Sequence, residues 1–156
     1  MNKIPSFTID HNRLVPGVYV SRQDVTPQGD ILTTFDVRMT APNRQPPLSP
    51  EALHAMEHLA ATYLRNDAEW ASKMVYWGPM GCCTGNYLIL QGDILPADVL
   101  PVLRRMFAWI ANFDDDIPGA KPRDCGNYSF MDLSAARQAA RHYLQILDAP
   151  VTEYPR

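Results

Sequence analysis

Hydrophobic and polar residues follow two periodicities along the chain, one typical of strands and the other of helices. Alternation with a period of two predicts strands over Gly17 to Asp24 and, more clearly, over Ile31 to Thr40. The turn-forming residues between these segments predict that they pair as an antiparallel hairpin. Short apolar runs from Lys73 to Trp77 and from Tyr87 to Leu90 predict two further strands.

Apolar residues that recur every three to four positions predict three helices. The helical segments run over about 50–66, 97–113 and 132–147. Ser49, followed by a proline and a glutamate, is a strong start signal for the first helix. We therefore expect an α+β fold with a four-stranded antiparallel sheet and helices packed on one face. The length and ordinary composition predict one domain over residues 1–156.

The first helix carries His54, Glu57 and His58 in the pattern HxxEH. Residues four apart lie about 40° apart around a helix, so both imidazoles share one face. A solvated helix produces the same pair by chance, and the helix alone therefore leaves metal binding open. Cys125, on a glycine-flanked loop, is the best candidate for a third ligand. Two histidines and one cysteine leave a coordination position open, which is typical of catalytic Zn²⁺ or Fe²⁺ sites.

Two residues are candidates for acid–base chemistry beside such an ion. Glu57 lies next to the histidines, where it can move protons without being a ligand. Cys82 belongs to a loop with three glycines, and a thiol near a cation can ionise and act as a base. The adjacent Cys83 is expected to point the other way in a strand-like stretch. His142, on the last helix, is expected to be a surface residue.

Composition excludes several classes of function. A net charge of −3 gives neither a basic surface for nucleic acid nor a cationic patch for membranes. No apolar run approaches the roughly 20 residues of a spanning helix, and the N-terminus lacks the hydrophobic region of a signal peptide. We therefore expect a cytoplasmic protein. The odd number of cysteines, three, predicts reduced thiols.

The residues alone leave two interpretations of the HxxEH helix open besides a catalytic site built with the two cysteines. HxxEH also occurs in a class of metallopeptidases, although such enzymes are far larger and do not require Cys82 or Cys125. A metal-stabilised binding module is the non-enzymatic alternative, and it would give Glu57 and the Cys82 loop no purpose. The N-terminal arm, residues 1–16, is irregular, and its residues alone favour a solvated segment.

Six ordered motifs, spread over nearly the whole chain, resemble the S-ribosylhomocysteine lyase family, which produces autoinducer-2. The motifs are Ser6-Phe7 with Asp10-His11, Thr33 to Arg38, HxxEH at 54–58, Gly78 to Gly85, Asp116 to Ala120 and Cys125 to Tyr128. Cys83 departs from the family pattern, in which a polar or basic residue is usual. No catalytic role is carried over to it.

The resemblance implies a homodimeric enzyme that cleaves the thioether of S-ribosylhomocysteine. The products are homocysteine and 4,5-dihydroxy-2,3-pentanedione, the precursor of the quorum-sensing signal autoinducer-2, formed through carbonyl migrations and a β-elimination. The cofactor implied is Fe²⁺, with Zn²⁺ as a possible substitute, and the active sites lie at the dimer interface. The residues carried over are the ligands His54, His58 and Cys125, the acid–base pair Glu57 and Cys82, and the ribose contacts Ser6, His11 and Arg38.

Overall fold

The two periodicities of the sequence correspond to four strands and three α-helices in a computed structural model, which describes Asn2 and residues 4–155. The strands are β1 (Gly17–Val25), β2 (Ile31–Arg38), β3 (Met74–Pro79) and β4 (Gly85–Gln91). The helices are α1 (Pro50–Asn66), α2 (Pro96–Asn112) and α3 (Leu133–Leu147), and single 3₁₀ turns cover Pro5–Phe7 and Ala71–Lys73. The predicted α+β class is confirmed. Among the described residues, no helix is both long enough and apolar enough to cross a membrane.

The strands form one antiparallel sheet in the order β1-β2-β4-β3, which confirms the predicted hairpin between β1 and β2. In this register Asp36 of β2 lies between Tyr19 of β1 and Tyr87 of β4. An irregularity between Val20 and Arg22 shifts the pairing in the outer half of β1. The centre of the sheet thus gathers residues that are far apart in sequence.

One face of the sheet packs into the hydrophobic core together with residues of all three helices. Side chains on successive strand residues point to opposite faces, so the core side is an alternating set. The buried strand residues in the core are Val18, Phe35, Val37, Met74, Trp77, Leu88 and Leu90. The second face of the sheet carries the intervening residues, which are Tyr19, Thr34, Asp36, Arg38, Tyr76, Tyr87 and Ile89.

Helix α1 begins where the sequence predicts. The Ser49 side chain accepts a hydrogen bond of 3.2 Å from the backbone N–H of Ala52, which satisfies a donor that the first turn leaves free. The apolar residues that share the inner side of the helix are fully buried, namely Leu53, Met56, Ala60 and Leu64. His54, Glu57 and His58 are therefore left on a partly exposed side of α1.

The C-terminal tail, residues 148–155, follows α3 and returns to the sheet. Val151 forms a parallel bridge with Gly17 at the start of β1, and the Val18 N–H donates to the Val151 carbonyl at 2.9 Å. A side chain at position 17 would collide with that carbonyl, so only glycine allows the tail to approach this closely. The tail therefore covers the first residues of an edge strand.

The structure corrects one local expectation. The segment around Cys82 and Cys83 is a turn between β3 and β4, and Cys83 has a φ of 58°. The strand-like alternation expected for these two cysteines is therefore wrong, because a residue in the left-handed region reverses the chain direction. His142 is exposed, as predicted.

Candidate active site

The three predicted metal ligands come together in the structure. One ligand atom from each of His54, His58 and Cys125 lies within 4.8 Å of the other two. The Cys125 Sγ lies 3.4 Å from His54 Nε2, although the two residues are 71 positions apart in sequence. Helix α1 supplies both imidazoles, and the loop between α2 and α3 supplies the thiol.

Backbone carbonyls of that loop fix the orientation of both imidazoles. His54 Nδ1 lies 2.7 Å from the Phe130 carbonyl oxygen, and His58 Nδ1 lies 2.7 Å from the Pro118 carbonyl oxygen. A carbonyl only accepts, so each Nδ1 carries the proton and each Nε2 keeps a lone pair for a ligand bond. Such outer hydrogen bonds are usual for metal-bound histidines. The donor set and its orientation therefore fit a divalent transition metal.

Gly119 makes the contact of His58 possible. Its φ of 72° lies in the left-handed region, and a Cβ at this position would lie 3.2 Å from His58 Nδ1. Glycine tolerates this conformation and leaves the space that the imidazole needs. The turn through Pro118 and Gly119 is thus shaped to present a carbonyl to one ligand.

Glu57 lies on the same helix between the two histidines and is half-buried. Within the described part of the chain, its carboxylate makes no hydrogen bond or ion pair. A carboxylate in this position is available to move protons beside a bound ion.

Cys82 belongs to a second cluster, on the second face of the sheet. Its Sγ lies 3.0 Å from Thr84 Oγ1 and 3.8 Å from Arg38 Nη1. Arg38 Nη1 also donates to Thr84 Oγ1 at 2.5 Å. The Thr84 hydroxyl uses a lone pair for the guanidinium, so its proton is free to point at the sulfur.

The net effect of these neighbours is a lowered pKa of Cys82. Burial of the thiol alone raises its pKa, but hydrogen bonds from the side chain and backbone of Thr84 lower it, and the positive charge of Arg38 lowers it further. Stabilisation of the thiolate is what an acid–base cysteine requires.

Asp36 and Arg38 form a buried ion pair beside the thiol. Arg38 Nη2 lies 2.6 Å from Asp36 Oδ2, and the two residues are 3% and 1% exposed. Burial of two charges is tolerated only with close pairing and further hydrogen bonds. Asp36 Oδ1 and Arg38 Nε have no hydrogen-bond partner among the described residues.

The predicted ribose contacts lie in three different settings. Ser6, from the N-terminal arm, lines a cavity of about 310 Å³ with Arg22, Thr34 and Tyr87 of the sheet. His11 Nδ1 lies 2.9 Å from the Ile9 carbonyl, whereas Arg38 belongs to the Cys82 cluster. In the described ranges, no hydrogen bond or ion pair joins the metal-ligand cluster to the Cys82 cluster. Within one chain, the metal-ligand cluster, the Cys82 cluster and the cavity beside Ser6 are thus separate from one another.

Sequence reasoning missed the residues that orient these groups. Thr84 lies two positions after Cys82, and this spacing in a turn was the available signal for their contact. Pro118 and Gly119 form a turn signal, but nothing in the sequence identifies His58 as the partner of the Pro118 carbonyl. Every residue has a backbone carbonyl, so the sequence does not show which carbonyl will accept from a histidine. Such contacts can be identified only from the folded structure.

Fold and side chains together define a small α+β protein with a three-residue candidate metal site of the open, catalytic type and a separate activated thiol. The sequence model of the family described as S-Ribosylhomocysteinase (LuxS) matches residues 4–152. The chain belongs to this family, which confirms the resemblance carried by the six motifs.

Individual relatives agree over almost their full lengths. A protein named S-ribosylhomocysteine lyase from Phocaeicola vulgatus is 54% identical over 144 residues, which cover 92% of this chain and 89% of the relative. Proteins of the same name from Porphyromonas gingivalis and Clostridium beijerinckii are 49% and 52% identical over 154 residues, with 98% of this chain and 96% of each relative covered. Their shared name is that of a carbon–sulfur lyase, and the prediction of an enzyme is confirmed.

Proposed function

We propose that the chain cleaves the thioether of S-ribosylhomocysteine and releases homocysteine and 4,5-dihydroxy-2,3-pentanedione, the precursor of autoinducer-2. Family membership over residues 4–152 supports the substrate. The structural observation that carries the proposal is the convergence of His54, His58 and Cys125, whose ligand atoms lie within 4.8 Å of one another.

These three residues hold a divalent metal in the proposed enzyme. Imidazole and thiolate donors suit Fe²⁺, with Zn²⁺ as a substitute, and disfavour Mg²⁺ and Ca²⁺. When bound, the ion supplies Lewis acidity that stabilises negative charge on the sugar oxygens. The hydrogen bonds from His54 and His58 to loop carbonyls support this assignment, because they leave both Nε2 atoms free.

Glu57 and Cys82 are the proposed acid–base pair. The carbonyl of the ring-opened sugar must move from C1 to C2 and then to C3. Each move removes a proton from the carbon next to the carbonyl and returns a proton to the former carbonyl carbon. The lowered pKa of Cys82 supports its role as the base. The carboxylate of Glu57, which has no partner among the described residues, supports proton transfer at the sugar oxygens.

The thioether breaks after the carbonyl reaches C3. Removal of the C4 proton by one of these groups expels the thiolate from C5, and the C5–S electron pair leaves with sulfur. The thiolate takes up a proton to give homocysteine, and the remaining enol tautomerises to the diketone. The complete reaction consumes no water and involves no net oxidation, so it needs neither a nicotinamide nor a flavin.

Ser6, His11 and Arg38 are the proposed contacts of the ribose portion, in active sites shared between the subunits of a homodimer. The cavity beside Ser6 supports this arrangement, because it lies between the N-terminal arm and the sheet. Exposed apolar residues of the arm and of the strands β1 and β3 also support an interface. These residues are Ile4, Phe7, Val25, Val75 and Tyr76.

The test of the function is release of free thiol from S-ribosylhomocysteine by metal-loaded protein. We expect Cys82→Ala to abolish release and keep the metal, whereas Cys125→Ala loses the metal. Cys83→Ala is the matched control and keeps both properties. No homocysteine from the metal-loaded wild type would overturn the proposal. Cleavage of a casein-type substrate would then favour the metallopeptidase, and bound metal without either activity would favour the binding module.

The proposed homodimer has a separate test. We expect sedimentation equilibrium to give twice the chain mass for the wild type. Tyr76→Asp places a charge on an exposed strand residue and is expected to weaken association, whereas the control Gln28→Asp, in the exposed turn after β1, is not. A monomeric wild type with full activity would contradict active sites shared between subunits.

A further inference from the structure

We propose that Tyr154, on the C-terminal tail, is a positioning residue that fixes Asp36 and thereby aligns Arg38 with Cys82. The inference rests on the proposed acid–base role of Cys82 and adds a residue that lies beyond the segment matched by the family, residues 4–152.

A continuous series of short contacts leads from the tail to the thiol. The Tyr154 hydroxyl donates to Asp36 Oδ2 at 2.9 Å, and the same oxygen accepts from Arg38 Nη2 at 2.6 Å. The other terminal nitrogen of the guanidinium, Nη1, points at Thr84 Oγ1 and at the Cys82 Sγ. Because the guanidinium is planar and rigid, the position of Nη2 on Asp36 constrains the direction of Nη1.

The tail holds the Tyr154 ring in place through two further contacts. The ring stacks on Tyr19 with a centroid distance of 4.6 Å and an interplanar angle of 6°. Three residues earlier, Val151 is bridged to Gly17 at the start of β1. The hydroxyl is therefore held on the carboxylate by an aromatic stack and by a backbone bridge, and not by a flexible end of the chain.

Tyr154 acts as a neutral donor in this arrangement. Burial raises the pKa of its phenol, and the negative charge of Asp36 and the hydrogen bond to it raise the pKa further, so the proton stays on the oxygen at physiological pH. The second carboxylate oxygen, Asp36 Oδ1, has no partner within the described residues. Tyr154 and Arg38 thus provide the hydrogen bonds that hold this buried carboxylate.

Other ionisable groups around Asp36 lack this geometry. Tyr19 and Tyr143 approach from β1 and α3, but their hydroxyls donate to the carbonyls of Val15 and Gly17. Among the described residues, Tyr87 and Arg22 also face the cluster from the sheet. Loss of the Tyr154 hydroxyl should consequently change the position of the Arg38 guanidinium. Loss of the Tyr19 hydroxyl should not, and Tyr19 therefore provides a matched control.

The experiment measures the rate of iodoacetamide alkylation of Cys82 against pH in the metal-loaded protein. All proteins carry Cys83→Ala, and tryptic peptides 74–104 and 124–137 separate Cys82 from Cys125. We expect Tyr154→Phe to raise the pKa of Cys82 by about half a unit, which is roughly a threefold loss of thiolate at neutral pH. We expect Tyr19→Phe, which keeps the ring stack and loses a different hydrogen bond, to leave the pKa unchanged.

Turnover gives a second readout. Loss of thiolate should lower kcat of Tyr154→Phe with KM unchanged, whereas a general loosening of the fold would change both or neither. We expect Gly17→Ala, which displaces Val151, to raise the pKa of Cys82 at least as much as Tyr154→Phe. An unchanged pKa in Tyr154→Phe, or equal shifts in Tyr154→Phe and Tyr19→Phe, would overturn the inference. Alkylation needs no substrate. The positioning role of Tyr154 can therefore be disproved without disproving the lyase activity, and the reverse.

Discussion

The guanidinium of Arg38 contacts both the Asp36 carboxylate and the Cys82 thiol. Because Asp36 already neutralises much of its charge, Thr84 affects the pKa of Cys82 more than Arg38 does. One edge is neutralised by Asp36 at 2.6 Å, while the other lies 3.8 Å from the sulfur. A charge that is already paired stabilises a second anion only weakly. The hydrogen bonds of Thr84 accordingly lower the pKa of Cys82 more than the charge of Arg38 does.

We therefore expect Thr84→Val to shift the activity profile of the enzyme to higher pH. Loss of a hydrogen bond to a thiolate costs about 1.5 kcal/mol, which corresponds to a rise of roughly one unit in the pKa of Cys82. Activity that needs the thiolate is lost as the pH falls through this pKa, so the acidic limb moves upward. Measurement of kcat/KM against pH checks the shift.

Thr40→Val is the matched control for that substitution. Its hydroxyl is also buried but has no hydrogen-bond partner among the described residues. We expect it to keep the acidic limb of the wild type. If Thr84→Val kept that limb too, Thr84 would not be the group that stabilises the thiolate.

At the scale of elements, α1 carries the two histidines of the metal site, and the residue before its N-cap contacts the turn that carries Cys82. Ser49 caps the helix, and the Leu48 N–H just before it donates to the Cys83 carbonyl at 2.8 Å. We expect Ser49→Ala to lower the free energy of unfolding by about 1 kcal/mol, because a backbone donor of the first turn loses its partner. Urea denaturation measures this, and Ser134→Ala, exposed in the first turn of α3, is expected to change it little. Equal losses in both variants would contradict the capping role.

The loop between α2 and α3 is the second element whose conformation the site requires. Gly119→Ala would place a methyl group 3.2 Å from His58 Nδ1, in a backbone conformation that alanine disfavours. We expect the Pro118 carbonyl to leave the imidazole and the affinity for Zn²⁺ to fall by about 10- to 100-fold, as for lost outer-shell partners elsewhere. Competition with a chromogenic chelator measures the affinity.

Gly126→Ala is the comparison within the same loop. Gly126 is adjacent to the ligand Cys125, yet a Cβ there would meet no atom within 4 Å. We expect its affinity for Zn²⁺ to match the wild type. A comparable loss in both variants would show that the loop responds to any side chain, and not to the contact with His58.

Elements were more predictable from sequence than the contacts between them. The bounds of α1 follow from Ser49, Pro50 and the apolar repeat, all of which lie within one segment. The glycines predict the loop that carries Cys82, but the alternation predicted for Cys82 and Cys83 is wrong, because the φ of 58° at Cys83 has no local sequence signal. The contact of Tyr154 with Asp36 joins residues 118 positions apart, and periodicity carries no information about it.

At the scale of the whole molecule, a bound metal should add to the hydrogen bonds that already hold α1 against the loop between α2 and α3. His54 and His58 lie on α1, and Cys125 lies on a loop reached only after β3, β4 and α2. Binding to such a site requires the folded arrangement, so the ion stabilises the native state and not the unfolded chain. Stability of the entire molecule should consequently follow metal concentration.

We expect Zn²⁺ at about 100 times its Kd to add about 2.7 kcal/mol to the free energy of unfolding. For a chain of this size the gain corresponds to a rise in Tm of roughly 5–10 °C, which differential scanning calorimetry detects. His58→Ala removes one ligand and should abolish most of the rise, whereas Cys83→Ala, outside the ligand set, should keep it. An equal rise in His58→Ala would mean that the ion binds elsewhere. Because this linkage needs neither substrate nor turnover, it tests the metal site independently of the proposed reaction.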